Sequence, residues 1–390
     1  MLKLIKNAEI YSPKYIGQKD IFLAENKIHL IDDEINIKNK SLDIEIIDAA
    51  GDYIVPGFID SHVHITGGGG EGSFHTRTPE IKLSDLISSG ITTVIGCLGT
   101  DGITRSSEDL LAKTRSLKEE GISAYMYTGS YGLPVNTITE EIKKDIILIN
   151  EIIGIGEIAI SDHRSSQPSI DQLKEAAAAA RVGGILSNKA GIVNVHIGDG
   201  EGKLNFLERI VDETEIPFKQ FIPTHINRNP DLFNTGLEYA QKGGLVDFTT
   251  STTSQFLESG ETKCSKALKY YIEKGVNIAN ITFTSDGQGS LPEFDENGDF
   301  VGLKIGRVSS LFREVKDAVI EENIELEEAL KVITKNPARN LQLKNKGELK
   351  EGKDADLVIL DQDNLKVRSV IANGIFMVKE GKLKQKGTFE

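Results

Sequence analysis

Tryptophan is absent, and cysteine occurs only twice, at Cys97 and Cys264, far apart in the chain. That count and spacing exclude a disulfide framework and a zinc finger. No apolar run approaches the roughly 18–20 residues that a membrane-spanning helix needs. The N-terminal Met1-Leu2-Lys3-Leu4-Ile5-Lys6-Asn7 has neither an apolar core segment nor a small-residue cleavage site, which argues against a secretory signal. Positive charge is in deficit: 45 Lys and Arg stand against 59 Asp and Glu, a net charge of −14. A net acidic surface repels phosphate backbones and anionic lipid, so neither nucleic acid nor a membrane is an expected partner. The expected location is the cytoplasm, with both thiols reduced.

What is present suits a large soluble globular protein. A chain of 390 residues, 39% hydrophobic, can bury a sizeable core without staples. Its length suggests two or three domains, or one large barrel with an appendage. Residues 1–57 read as short strands: Leu2–Ile5, Asp20–Ala24, Lys27–Ile31 and Leu42–Ile47, the last with period-two alternation. The final stretch, 345–390, has the same character at Ala355–Leu360, Val367–Ile371 and Ile375–Val378. Neither end holds enough strands for a stable sheet alone. The two ends are therefore expected to join in one small β-sandwich domain.

Between them, residues 58–344 alternate β-branched runs with helical patterns. Eight strand candidates end at His64, Gly96, Thr128, Glu157, His196, His225, Thr250 and Asp286, 25 to 39 residues apart. Helical patterns cover Ile170–Val182, Asn205–Glu213, Asn229–Lys242 and Cys264–Lys274, and one further helix is expected over Leu326–Leu341. Eight βα units of that size match a closed (β/α)8 barrel, a TIM barrel of the α/β class. A doubly wound sheet is the alternative, although it would not need eight similar units.

In such barrels chemistry collects at the C-terminal ends of the strands. The first barrel strand ends His62-Val63-His64, and residues two apart on a strand face the same way. Glu157, His196, His225 and Asp286 end four others. Buried ionisable groups are costly unless paired or metal-bound. The other histidines, His29, His75 and His163, fall where a structural or surface role is expected. Imidazole and carboxylate together suit a borderline divalent ion, Zn²⁺ above all. Four His and two carboxylates exceed the needs of one tetrahedral ion and suit two ions about 3.5–4 Å apart. His62, His64 and Asp286 would hold one, His196 and His225 the other, and Glu157 would bridge. Asp286 would carry a proton from the activated water to a leaving amine.

Pro56-Gly57-Phe58-Ile59-Asp60-Ser61-His62-Val63-His64 resembles the amidohydrolase superfamily signature, as do Asn336-Pro337-Ala338 and Gly352-Lys353-Asp354-Ala355-Asp356-Leu357-Val358. Five segments narrow the resemblance to the isoaspartyl (β-aspartyl) dipeptidases, peptidase M38-like metallo-hydrolases. They are Gly67-Gly68-Gly69-Gly70-Glu71 with Thr76-Arg77-Thr78-Pro79-Glu80, Leu98-Gly99-Thr100-Asp101, Ile160-Ser161-Asp162-His163-Arg164-Ser165, Pro223-Thr224-His225-Ile226-Asn227-Arg228-Asn229 and Thr284-Ser285-Asp286-Gly287-Gln288-Gly289-Ser290. The resemblance implies hydrolysis of the isopeptide bond of β-aspartyl dipeptides. It implies metal ligation by His62, His64, His196, His225 and Asp286, the last also the proton shuttle. Glu71, Thr100, Arg164, Arg228 and Ser290 match substrate-binding positions, and Tyr131 matches a tyrosine that polarises the scissile carbonyl. It also implies a homo-oligomer, up to an octamer. Charge count agrees with the substrate: one α-ammonium and two carboxylates call for one anion and two guanidiniums, which Glu71, Arg164 and Arg228 supply. One departure stands out. Where the family carries a carboxylated lysine as the metal bridge, this chain has Glu157, which is shorter and independent of CO₂. A mononuclear site is the alternative to a bridged pair.

Other readings of the same residues are a cyclic amidase of dihydroorotase or hydantoinase type, an N-acyl-amino-acid deacylase, or a barrel used as a non-catalytic scaffold. The first two act on substrates without the free α-ammonium that Glu71 would pair, and the third would be marked by lost metal ligands.

Overall fold

The computed structural model describes residues 2–37, 41–295 and 300–390; Met1, where the N-terminal reading began, lies outside them. Strands from both chain ends form one nine-stranded sheet. The N-terminal part supplies β1 (Leu2–Ser12), β2 (Lys14–Ala24), β3 (Lys27–Asp32), β4 (Ile44–Asp48) and β5 (Tyr53–Pro56). Eight strands of the middle follow: β6 (Phe58–Val63), β7 (Ile91–Gly96), β8 (Ser123–Thr128), β9 (Ile152–Ile160), β10 (Ile192–Ile197), β11 (Phe221–Thr224), β12 (Val246–Thr249) and β13 (Ile281–Thr284). A hairpin, β14 (Ser290–Phe294) and β15 (Phe300–Ile305), comes next, and β16 (Leu357–Leu360), β17 (Val367–Ala372), β18 (Ile375–Lys379) and β19 (Lys382–Leu383) close the chain. The hairpin was not foreseen from the sequence.

The chain-end sheet runs β19-β18-β17-β16-β5-β1-β2-β3, with β4 beside β1. Two register shifts in β1 let its halves pair differently: Leu2–Lys6 pairs with β4, and Glu9 and Ile10 pair with β5. Alternation along β16 places the sheet. Leu357 and Ile359 join the sheet's own core with Ile5, Ile21 and Ile54, whereas Val358 and Leu360 join the barrel's core. A strand buried on both faces reads as a continuous apolar run, and Leu357-Val358-Ile359-Leu360 is one.

In the barrel, β6 to β11 form a continuous parallel ladder and β12 pairs with β13. Every residue of these strands is buried except Ser123 and Tyr125, as expected when helices cover one face and a filled interior the other. The two seams in the ladder are both spanned by a buried aspartate. Between β11 and β12, Asp247 accepts from Thr224 Oγ1 at 2.7 Å while its carbonyl accepts from Ile226 N at 3.2 Å. Between β13 and β6, Asp60 accepts from Ser285 N at 3.1 Å, and His64 N donates to Gly287 O at 2.9 Å. Complete burial pushes the Asp60 carboxyl up to about 7 and that of Asp247 up to about 6.

Local signals set the helix ends. Ser169 and Gln172 form a reciprocal capping box, and Asn188 ends that helix in the left-handed conformation. Asn229 caps a helix that opens with Pro230. Two expectations are corrected. The helix over Leu326–Leu341 is broken into Leu326–Ala329, a 3-10 turn Leu330–Ile333 and Lys335–Asn340, with Thr334 off helical angles (φ −130°, ψ −85°) just before Pro337. Strand β9 runs on to Ile160 rather than ending at Glu157.

Candidate metal centre

Glu157 sits at an irregularity in β9. Ile155 pairs with Val193 and Ile158 with Val195, so Gly156 and Glu157 together oppose Asn194. This bulge turns the Glu157 carboxylate into the barrel mouth. Its Oε1 lies 2.7 Å from His196 Nδ1 and 3.1 Å from His225 Nε2. Its Oε2 lies 3.5 Å from His62 Nε2 and 4.0 Å from His64 Nε2. Asp286 Oδ1 is 3.0 Å from His64 Nε2 and 3.7 Å from His62 Nε2. All six residues expected to ligate metal are thus brought together. Glycines admit the loops to His64: a Cβ on Gly99 would stand 3.1 Å from the ring and one on Gly68 3.2 Å. His225 (φ 65°) and Asp286 (φ 52°) both hold left-handed backbone, a strain of about 1–3 kcal/mol each that collects where function constrains the chain.

The donor set fits divalent cations. His62 Nε2, Glu157 Oε2 and Asp286 Oδ1 are buried without a hydrogen-bond partner, although they face one another. Each such atom costs about 1–3 kcal/mol if left alone. Ligand bonds of about 2.0–2.1 Å in a tetrahedron put donor atoms about 3.3 Å apart, close to the spacings here. Electrostatics agree. Burial would raise the Glu157 carboxyl, yet the imidazoles of His62 and His196 hold it well below the usual range. Asp286 is likewise held at about 2, against its burial, by His64. Burial and the neighbouring His196 push His225 down to about 3, leaving it neutral and able to ligate.

The positions assigned to substrate lie around a small cleft of about 60 Å³ over this cluster. Glu71 accepts from Thr100 Oγ1 at 3.0 Å and Ser290 Oγ at 3.4 Å, and lies 3.6 Å from Arg164 Nη1. Tyr131 OH is 2.9 Å from His196 Nδ1, with the Arg164 guanidinium over its ring at 5.6 Å. Arg228 is half-buried on the same rim, 4.0 Å from Asp199.

Sequence reasoning missed several partners. Asp162 takes Arg164 in a two-point contact, from Nε at 3.0 Å and Nη2 at 2.8 Å, and also faces His196 Nε2 at 2.9 Å. Burial opposes its ionisation, but His196 and Arg164 hold it far below the usual range. Thr249 Oγ1 faces His225 Nδ1 at 2.7 Å, fixing that ring as second partners of metal-binding imidazoles do. Cys97, just past the end of β7, lies 3.8 Å from His64 Nδ1. A signal for it existed, since it sits at a strand end as the ligands do. His163, by contrast, points to solvent with 90% of its side chain exposed.

Among the described residues, no helix is long and apolar enough to cross a membrane. The chain is similar along 99% of its length to 99% of a β-aspartyl dipeptidase from Fervidobacterium islandicum AW-1, solved with β-Asp-Leu, at 48% identity and a TM-score of 0.91. It is 35% identical over 118 residues to a dihydroorotase of Staphylococcus epidermidis, a match spanning 30% of this chain and 26% of that protein. It is 24% identical over 377 residues to the enamidase of Eubacterium barkeri, covering 92% of this chain and 84% of that one. The model of the amidohydrolase family matches residues 53–377, and the chain belongs to that family.

Proposed function

We propose that this chain is a metal-dependent dipeptidase that hydrolyses the isopeptide bond of β-aspartyl dipeptides. The observation that carries the reading is Glu71 standing beside Arg164 on the rim of the six-ligand cluster, in a chain 48% identical to a β-aspartyl dipeptidase throughout. His62, His64 and Asp286 would hold one Zn²⁺, His196 and His225 a second, with Glu157 between them. Bound there, the cations lower the pKa of water and polarise a carbonyl oxygen.

The chain's own groups do the rest. Glu71, aided by the Thr100 and Ser290 hydroxyls, receives the substrate's α-ammonium. Arg164 and Arg228 each take a carboxylate, and Asp162 keeps the Arg164 fork oriented. Tyr131, held neutral by burial and the Glu157 charge, donates its O–H toward the scissile carbonyl oxygen. Asp286, ionised at neutral pH, takes the proton released by the attacking water and delivers it to the leaving amine. A catalytic barrel over 58–344, a chain-end β domain from 1–57 and 345–390, a homo-oligomeric assembly and a cytoplasmic location complete the reading.

The test is amino-acid release. Metal-loaded protein is expected to free leucine from β-Asp-Leu and to leave dihydroorotate, hydantoin and N-acyl amino acids intact. Turnover of the cyclic amides without dipeptide cleavage would overturn it.

A further inference from the structure

Cys97 is fully buried and belongs to the barrel-interior cluster with Ile95, two residues before it on the same face. One ligand atom each from His62, His64, Cys97 and Glu157 lie within 4.8 Å of one another. We propose that the Cys97 thiolate is a ligand of the cation held by His62 and His64, an inference that rests on the metallo-hydrolase reading above.

A buried cysteine is most often a small hydrophobe, and position alone would not lift Cys97 above that. Its neighbours do. His62 is fully buried with neither ring nitrogen hydrogen-bonded, and Glu157 Oε2 beside it is equally unpartnered. The sulfur lies 3.8 Å from His64 Nδ1 and within 4.8 Å of a ligand atom of His62 and of Glu157. An aliphatic side chain would fill the interior among Ile59, Ile95 and Ile153 as well as a thiol does, without placing a donor against two imidazoles. Charge points the same way. Glu157 and Asp286 offset two of the four positive charges of a dication pair, and a thiolate offsets a third at a largely buried site. Sulfur also sets the metal's identity. A mixed imidazole, carboxylate and thiolate set favours Zn²⁺ or Co²⁺ over Mg²⁺ or Mn²⁺.

The test reads sulfur coordination directly. Zinc-loaded wild-type protein should show one sulfur scatterer at about 2.3 Å by X-ray absorption. Cobalt-loaded protein should show a near-ultraviolet thiolate-to-Co(II) absorption. Both signals should vanish in C97S and C97A, which should hold that metal about 10- to 100-fold more weakly. Cys264, whose thiol donates to Thr249 O at 3.0 Å, remains as an internal control. Two metals bound with no sulfur scatterer in the wild type, or a signal persisting in C97S, would overturn the assignment and leave the hydrolase reading standing. A protein that binds no divalent metal would end both. The wild-type spectra need no variant, so a misfolded C97S does not shelter the idea.

Discussion

The two mouths of this barrel are built from the same strands and share almost no chemistry. At the N-terminal mouth, Ile59, Ile153, Ile192, Ile222 and Leu245 interlock with Ala338, Leu341 and Leu343, which seal it. At the other mouth, three or four residues along the same strands, aliphatics give way to His62, Glu157, His196 and His225. One end is dense and largely aliphatic. The other brings imidazoles and carboxylates face to face, with His225 and Asp286 on left-handed backbone. The barrel thus separates its two demands by distance along each strand: packing accumulates at one end, and that surplus tolerates strain at the other.

Substitutions should break the molecule differently at each mouth. The largest effect is expected at Asp286. Asp286→Asn should lower kcat by about 10²–10⁴-fold through loss of the proton carrier, while metal analysis still finds cation and the melting curve stays near wild type. If turnover survives, another group shuttles the proton. Arg228→Ala should reduce kcat/KM by about 10- to 150-fold, the worth of charged hydrogen bonds of about 1.5–3 kcal/mol, again without loss of stability. Asp162→Asn should fall between that and wild type, and Arg164 should lose its fixed fork; a crystal structure of the variant with Arg164 unmoved would remove Asp162 from the substrate clamp. Leu341→Ala at the sealed mouth should do the reverse, costing about 2–5 kcal/mol in denaturant titration with kcat/KM of the folded protein unchanged. A catalytic defect in Leu341→Ala would mean the mouths are coupled and the separation is false.

Much of this arrangement was legible beforehand. The eight-strand rhythm, the union of the chain ends and the gathering of six His and acidic side chains at one mouth follow from hydrophobic period and from polar residues breaking apolar runs at regular intervals. The β14–β15 hairpin was not legible, because its residues pair only with each other and touch no repeating pattern. Strand β9 was cut short because a carboxylate reads as a strand end, whereas the bulge at Gly156 and Glu157 lets the strand continue past it. Asp162 and Thr249 stayed hidden for a different reason: their roles exist only in contacts with His196 and His225, far away in sequence. Cys97 escaped because a lone cysteine carries no spacing signature, although its place just past a strand end was there to be read.

The pairing of β5 with β16, Tyr53 against Leu360 and Pro56 against Leu357, has a consequence for biosynthesis. A ribosome adding about 5–20 residues per second needs about 15–60 s to travel from one strand to the other. During that interval β5 waits with one edge open, the condition under which nascent chains aggregate or recruit chaperones. The barrel can assemble in the meantime, but the sheet beneath it closes only once β16 has been made.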